Sequence, residues 1–375
     1  MLYLGIDQHA KQLTIDLSNE NGDLLLHRQV KTNWTSLREF LSDLRDQAEP
    51  EGGYMAIVEI CGFNNYLLDL LEEYDCYHTL VIQPEERKKT KTDRRDARAL
   101  RQLLWVNRQR IREKKRPARL RVVRRPSEAD EAARQLTVLR VRLVRHRTRL
   151  VNKVQTILRK WNLQHDCPTK GIQTKKAYAW LETLELPDID RFEMDVLLQQ
   201  WTLVKQQLEE ADAKIKKYQQ NNDVAVLLHS IAGMSDFNSL SVACRIGQIE
   251  DFPRSSSLAN FWGLTPGARN SGNNDRSLSI TKAGSGHVRY VLGQVVLHVI
   301  RKDAWMRQWY QKIKRRRGSK IARVAVMRRL ATIIWSMVKY KMPYIKGGPE
   351  KLKESIRTYQ ALLGDTPQTV GRVAD

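Results

Sequence analysis

The sequence predicts an α/β domain followed by a mostly helical, all-α region. The first 31 residues alternate apolar and polar positions between turn signals, and apolar runs then alternate with helical patterns to residue 107. Beyond residue 126 the apolar spacing is three and four, interrupted by a Gly- and Ser-rich stretch at 263–290.

In order, residues 2–6, 13–17 and 24–30 read as strands, with Asn21-Gly22 as a hairpin turn signal. Residues 34–47 form a helix with Leu37, Phe40, Leu41 and Leu44 on one face. Residues 55–59 read as a buried strand, 64–74 as a helix, 78–82 as a strand and 92–107 as a helix. Three antiparallel strands followed by alternating helices and parallel strands is the order of a ribonuclease-H-like domain.

A basic linker, 108–126, leads from this first domain (1–107) into a coiled-coil region, 127–221. There Leu136, Leu143, Leu150 and Ile157 recur every seven residues in one long helix (127–161). Leu197, Trp201, Val204, Leu208, Ala211, Ile215 and Tyr218 step by four and three in a second (190–220). The heptads fit an intramolecular hairpin and a dimer seam equally. A further domain, 222–343, opens with a helix-hairpin-helix-like stretch around Gly233. It continues through the Gly/Ser-rich loop, a helix from Val288, a basic loop at Arg315-Arg316-Arg317-Gly318 and a helix over 321–340. Residues 344–375 read as a polar, partly disordered tail.

Lys and Arg number 65 against 42 Asp and Glu, a net charge of +23. A balance this lopsided points to a polyanionic partner, foremost nucleic acid. Residues 84–125 hold 18 Lys/Arg against 5 Asp/Glu, and 301–329 hold 12 against 1. Arg108, Arg110, Arg112, Lys282, Arg289, Arg315, Arg316 and Arg317 are the candidate contacts, with Trp105, Trp305, Trp309 and Tyr310 nearby for base stacking. The four cysteines have no zinc spacing and suit a reducing compartment. No apolar run nears a membrane span and no signal-peptide pattern opens the chain, so a cytoplasmic protein with no membrane partner is expected. No Walker-type loop is present.

Within this basic chain, acids stand where a metal-dependent enzyme of nucleic acid needs them. Asp7 closes an apolar run and Glu59 closes another. Asp93 and Asp96 are three apart and share a helical face. Phosphodiester chemistry with two divalent ions, about 4 Å apart, needs such a set. An acid at the end of an apolar strand is costly unless paired or metal-bound. Asp16, on the second strand, is the alternate acid. In the Gly/Ser-rich segment, Ser271 beside Gly272 has the backbone room a nucleophile needs, in competition with Ser277, Ser279 and Ser285. His287 is a candidate base, and Lys282 and Arg289 could neutralise an anion.

Gly5-Ile6-Asp7, Glu59-Ile60-Cys61-Gly62, Lys91-Thr92-Asp93-Arg94-Arg95-Asp96-Ala97, Gly263-Leu264-Thr265-Pro266, Ser271-Gly272 and Ile280-Thr281-Lys282-Ala283-Gly284 occur in one order. In these pieces the chain resembles the transposases of the one-ten family of bacterial insertion sequences, including its eleven-eleven branch, over residues 2–343. The resemblance implies a RuvC-like domain whose Asp7, Glu59, Asp93 and Asp96 hold Mg²⁺. It also implies a transposase domain whose Ser271 forms a covalent phosphoserine link with DNA. It implies a homo-oligomer, dimer or tetramer, with sites assembled across protomers. The expected partners are an element-encoded guide (bridge) RNA and donor and target double-stranded DNA, in a nucleoid-associated setting. The chain departs from the family at Asn64, where an aromatic is usual and Phe63 stands beside it, and at Asn273, Asn274 and Asp275. The rival expectation is a metal-only nuclease or junction resolvase using the same acids without the serine.

Overall fold

A computed structural model describes residues 1–83, 93–118, 120–271 and 274–362. The side chains of 93–95, 268–271, 274–278 and 362 lie outside that description. The chain forms two compact units, Met1–Arg125 and Pro126–Asp375.

The first unit is a five-stranded sheet with helices on both faces. Its strands are β1 (Leu2–Gln8), β2 (Gln12–Ser18), β3 (Leu24–Lys31), β4 (Tyr54–Glu59) and β5 (His78–Ile82), in the order β3-β2-β1-β4-β5. The first three pair antiparallel, while β1–β4 and β4–β5 pair parallel. This mixed α/β sheet is consistent with a RuvC-like domain. Central β1 is buried along its whole length, so each face needs its own cover. Leu2, Leu4, Ile6, Ala56 and Val58 pack under α1 (Trp34–Ala48) and α2 (Asn65–Glu73). Asn33 caps α1 by accepting from the Ser36 N–H, and Leu37, Phe40, Leu41 and Leu44 form its buried stripe.

The alternate positions, Tyr3, Met55, Ile57 and Leu80, face Leu100 and Leu104 of α3 (Asp93–Arg112). Gly5 makes this contact close. A Cβ there would lie 2.4 Å from the Ala97 carbonyl oxygen and 2.5 Å from the Arg101 nitrogen. Helix α3 extends past residue 107 into the stretch expected as linker, because Leu104 and Ile111 continue its apolar face.

The second unit begins with α4 (Glu128–Lys160), entered through the Ser127 cap and three acids in its first turn. After α5 (Lys175–Thr183), helix α6 (Asp188–Gln220) returns along it. Arg140 pairs with Asp212 and Lys160 with Asp190 at 2.8 Å, so the two helices run antiparallel. The α6 heptad residues Leu197, Trp201, Val204 and Leu208 are buried with Leu150, Val154, Ile157 and Leu158 of α4. This seam is therefore occupied within the chain, as a helical hairpin.

Helices α7 (Asp223–Leu228), α8 (Asp236–Ala243), α9 (Ser255–Phe261), α10 (Gly286–Lys302) and α11 (Ala304–Lys339) build a second core around Trp262, Val288, Val295 and Ile334. The Gly233 turn packs closely, since a Cβ on it would lie 2.5 Å from His298 of α10. Two expectations change here. The Gly/Ser-rich loop contains an antiparallel hairpin, β6 (Pro266–Ser271) with β7 (Asn274–Ile280). The basic loop at 315–318 lies inside α11, which kinks at Gly318 (φ 80, ψ 166). The tail also folds in part. Helix α12 (Gly348–Leu362) buries Leu352 and Ile356, an i, i+4 pair, in the same core. Residues 363–375 lie outside the described residues.

A Gly5→Ala substitution tests the packing of α3. The added methyl has no room, so urea unfolding should show a loss of about 1–3 kcal/mol.

Candidate active site

Register and packing together set the acids. The β1–β4 register closes with Ile6 opposite Val58, so the next residues, Asp7 and Glu59, lie side by side on the α3 face. Helix α3 runs against the direction of β1. Near its C-terminal end, Arg112 donates to Tyr3 Oη at 2.8 Å, while Ala97 and Arg101 sit over Gly5. The first turn of α3 therefore approaches the end of β1 that carries Asp7. Asp7 is 8% exposed, and one carboxylate oxygen of Asp96 is buried. The Asp93 backbone starts α3, and its side chain lies outside the described residues, as do Lys91 and Thr92.

Three expected acids thus share one face and one end of the sheet. Their oxygens are hard donors of the kind Mg²⁺ takes, so the donor set fits a divalent ion. Among the described residues no three His, Cys, Asp or Glu side chains close on one point. His9 Nε2 lies 3.1 Å from Asp7 Oδ2, a neighbour that the sequence reading did not single out.

Asp16 has another role. It is buried on β2 opposite Gly5, accepts from Arg101 Nε at 2.6 Å and lies 3.1 Å from His27 Nδ1. One of its oxygens ties α3 to the sheet and the other links β2 to β3.

Two residues missed by sequence reasoning bridge the acid-bearing strand ends. Asn64 Nδ2 donates to Gln8 Oε1 at 2.7 Å and to the Glu59 carbonyl at 3.1 Å. Gln8 Nε2 donates to the Phe63 carbonyl at 3.1 Å. The only sequence signal was the departure at Asn64 itself.

Several candidate cations turn inward. Arg112 and Arg108 surround Glu20 at 2.6 and 3.5 Å. Burial works to raise the Glu20 carboxyl, but hydrogen bonds from Arg112 and Tyr3 prevail and hold it at about 2. Arg108 also stacks on Trp105 at 4.1 Å, and Arg110 donates to the Arg116 carbonyl at 3.0 Å. In the second unit, Arg289 Nη1 donates to the Trp262 and Gly284 carbonyls at 3.0 and 2.8 Å, clamping the loop after β7. Trp305 stacks on Trp309 and lies under Arg329. Lys282, Arg315, Arg316 and Arg317 are exposed.

Ser271 is the last residue of β6, with its backbone opposite Asn274. Its side chain and Gly272 lie outside the described residues, as does the side chain of Ser277. His287 stands at the start of α10, its Nε2 3.2 Å from the buried Ser241 Oγ. Burial first, then Arg245 and Arg145, push its imidazole down to about 4.

The folded chain therefore keeps His287 neutral where the unfolded chain, with an ordinary value of 6.5, takes up a proton. This contribution is present above pH 6.5 and is lost as the pH falls toward 4. Wild type should lose on the order of 2 kcal/mol more than His287→Gln across that window, read by urea unfolding at each pH. Replacing Asp16 by Asn should cost about 3–5 kcal/mol in the same assay at pH 7, because Arg101 is left buried without its counter-charge.

The chain is similar to known transposases. A DEDD transposase model of the IS110 group matches residues 4–162, and a model described as Transposase IS116/IS110/IS902 family matches 225–311. The transposase for insertion sequence element IS1111A of Coxiella burnetii is 27% identical over 280 residues, covering 71% of this chain and 72% of that one. A probable family 20 transposase of Pseudomonas aeruginosa is 23% identical over 92% of this chain and 98% of its own length. The putative transposase y4qE of Sinorhizobium fredii is 24% identical over 90% of this chain and 88% of that one. With one model over the acid-bearing unit and the other over the serine-bearing region, the chain belongs to the IS110 family of insertion-sequence transposases.

Proposed function

We propose that this transposase is an RNA-guided DNA recombinase that moves a bacterial insertion sequence through a covalent phosphoserine intermediate. The observation that supports this most is the gathering of Asp7, Glu59 and Asp96 on one face at one end of the first sheet. These three, with Asp93, would hold Mg²⁺. When bound, the metal neutralises developing charge on the phosphate oxygens and favours ionisation of the attacking oxygen. Ser271 supplies the nucleophile. Its Oγ bonds to phosphorus as one phosphorus–deoxyribose oxygen bond breaks. The serine proton passes to a base, and the departing sugar oxygen takes up a proton. Rejoining runs in reverse, with the sugar hydroxyl of a new strand displacing the serine. One phosphodiester is exchanged for another, so no nucleoside triphosphate is consumed.

Donor and target duplexes and an element-encoded guide RNA are the proposed partners of a homo-oligomeric protein. Their phosphates are offered exposed cations at Lys282, Arg315, Arg316 and Arg317. Arg108, Arg110 and Arg112 have partners within the chain, so their neutralisation should be read for stability as well as RNA affinity. Among the described residues no helix is long and apolar enough to cross a membrane.

The test incubates the purified protein with RNA from the element's flanking non-coding region, donor and target DNA and Mg²⁺. Denaturing gels should show a protein–DNA adduct in wild type, only with RNA, and none in Ser271→Ala. Asp7→Asn should lower product formation at least a hundredfold. Cleavage that persists in Ser271→Ala without an adduct would replace this reading with the metal-only nuclease.

A further inference from the structure

Five residues, Ile60 to Asn64, connect β4 to α2, and they are unusually well tied. The Ile60 N–H donates to the Ile82 carbonyl at 2.8 Å, and the Cys61 N–H donates to Asn64 Oδ1. Asn64 is 4% exposed and Gln8 is 9% exposed, yet both side chains are fully polar. An asparagine just before a helix commonly caps it through its side chain. Asn64 makes no such bond to α2. Its amide donates instead to Gln8 and to the Glu59 carbonyl, and the Gln8 amide returns a bond to the Phe63 carbonyl.

The location of these bonds matters more than their number. The β1–β4 register closes with Ile6 opposite Val58, while Asp7 and Gln8 go on pairing with β2 and Glu59 with β5. The spacing of the Asp7 and Glu59 carboxylates follows the spacing of these two strand ends. The buried Asn64–Gln8 amide pair adds a direct link between them, from the residue after Asp7 to the carbonyl of Glu59.

We propose that Asn64 and Gln8 are positioning residues that set the spacing of the Asp7 and Glu59 carboxylates for a divalent cation. The inference rests on the metal reading of those acids. Neither amide touches the ion; each fixes the backbone from which a ligand projects. Groups that orient metal ligands in this way are typically worth 10- to 100-fold in metal affinity.

The experiment titrates Mn²⁺ into full-length protein by calorimetry, alongside melting temperatures in EDTA. Asn64→Leu and Gln8→Leu should each weaken Mn²⁺ binding about tenfold. The double variant should be no weaker than either alone, because both substitutions open one linkage. A lower melting temperature in EDTA with wild-type Mn²⁺ affinity would mark the pair as merely structural and overturn the proposal. Gln8→Leu, outside the tight connection, carries the test if Asn64→Leu fails to fold. Asp7→Asn separates the two levels. If it abolishes Mn²⁺ binding while the amide variants bind normally, the positioning role alone falls. If it binds Mn²⁺ as wild type does, the metal reading falls and takes the positioning role with it.

Discussion

The first unit depends on how closely α3 lies on β1. The Gly5 position leaves no room for a side chain, so the helix backbone rests directly on the strand. Arg101, at the same height, reaches across to Asp16, which stands opposite Gly5 on the neighbouring strand. A buried ion pair is weak evidence for net stability, but it defines register, because sliding the helix by one turn would bury both charges unpaired. Asp96 and Ala97 are adjacent, so the register that seats Ala97 over Gly5 also carries Asp96 toward the end of β1. The same contact that fixes the fold therefore delivers the acids.

Charge and interface prove to be different properties in this chain. A net charge of +23 attracts polyanions over the whole surface. Many individual guanidinium groups nevertheless serve the fold. Arg245 donates to the Ser241 carbonyl and Thr137 Oγ1 at 2.9 and 3.1 Å, and Arg134 donates to the Cys244 carbonyl at 2.7 Å, joining α4 to α8. Arg289 and Arg110 bind carbonyls in the same manner. A planar guanidinium with five donors suits carbonyls at helix ends as well as phosphates. Composition alone cannot separate these uses, whereas exposure and partners can.

The strands and the long helices were legible, and the acids stood out as candidates, because each has a local signature. Alternation marks β1 to β3, heptads mark α4 and α6, and an acid closing an apolar run marks Asp7 and Glu59. What escaped was set by long-range contact. Helix α3 continues through Ile111 because a core waits for it, α12 forms because Leu352 and Ile356 find one, and the 263–290 stretch pairs with itself despite its glycines. The pairing of Asn64 with Gln8 joins residues 56 apart in sequence, each unremarkable in its own segment. The heptads of α6 were legible as a seam, but their partner was decided only by the return of the chain along α4.

The setting of Ser271 complements that of the acids. Asp7 and Glu59 stand at the ends of central strands of a five-stranded sheet, whereas the serine ends a strand of a two-stranded hairpin. The base of this hairpin is held firmly. A Cβ on Gly284 would meet the Phe261 carbonyl oxygen at 2.0 Å, Arg289 grips the Gly284 carbonyl, and the Thr281 N–H donates to the Thr265 carbonyl at 3.0 Å. From Pro266 to Ser271 the strand extends about 17 Å at the usual rise per residue. In the proposed reaction, a serine backbone at the end of such an arm is directed by the arm's base. The serine must there stay bonded to DNA while the strand changes partner, and an arm anchored at its base through Gly284, Arg289 and Thr281 keeps that link tied to the helical core throughout.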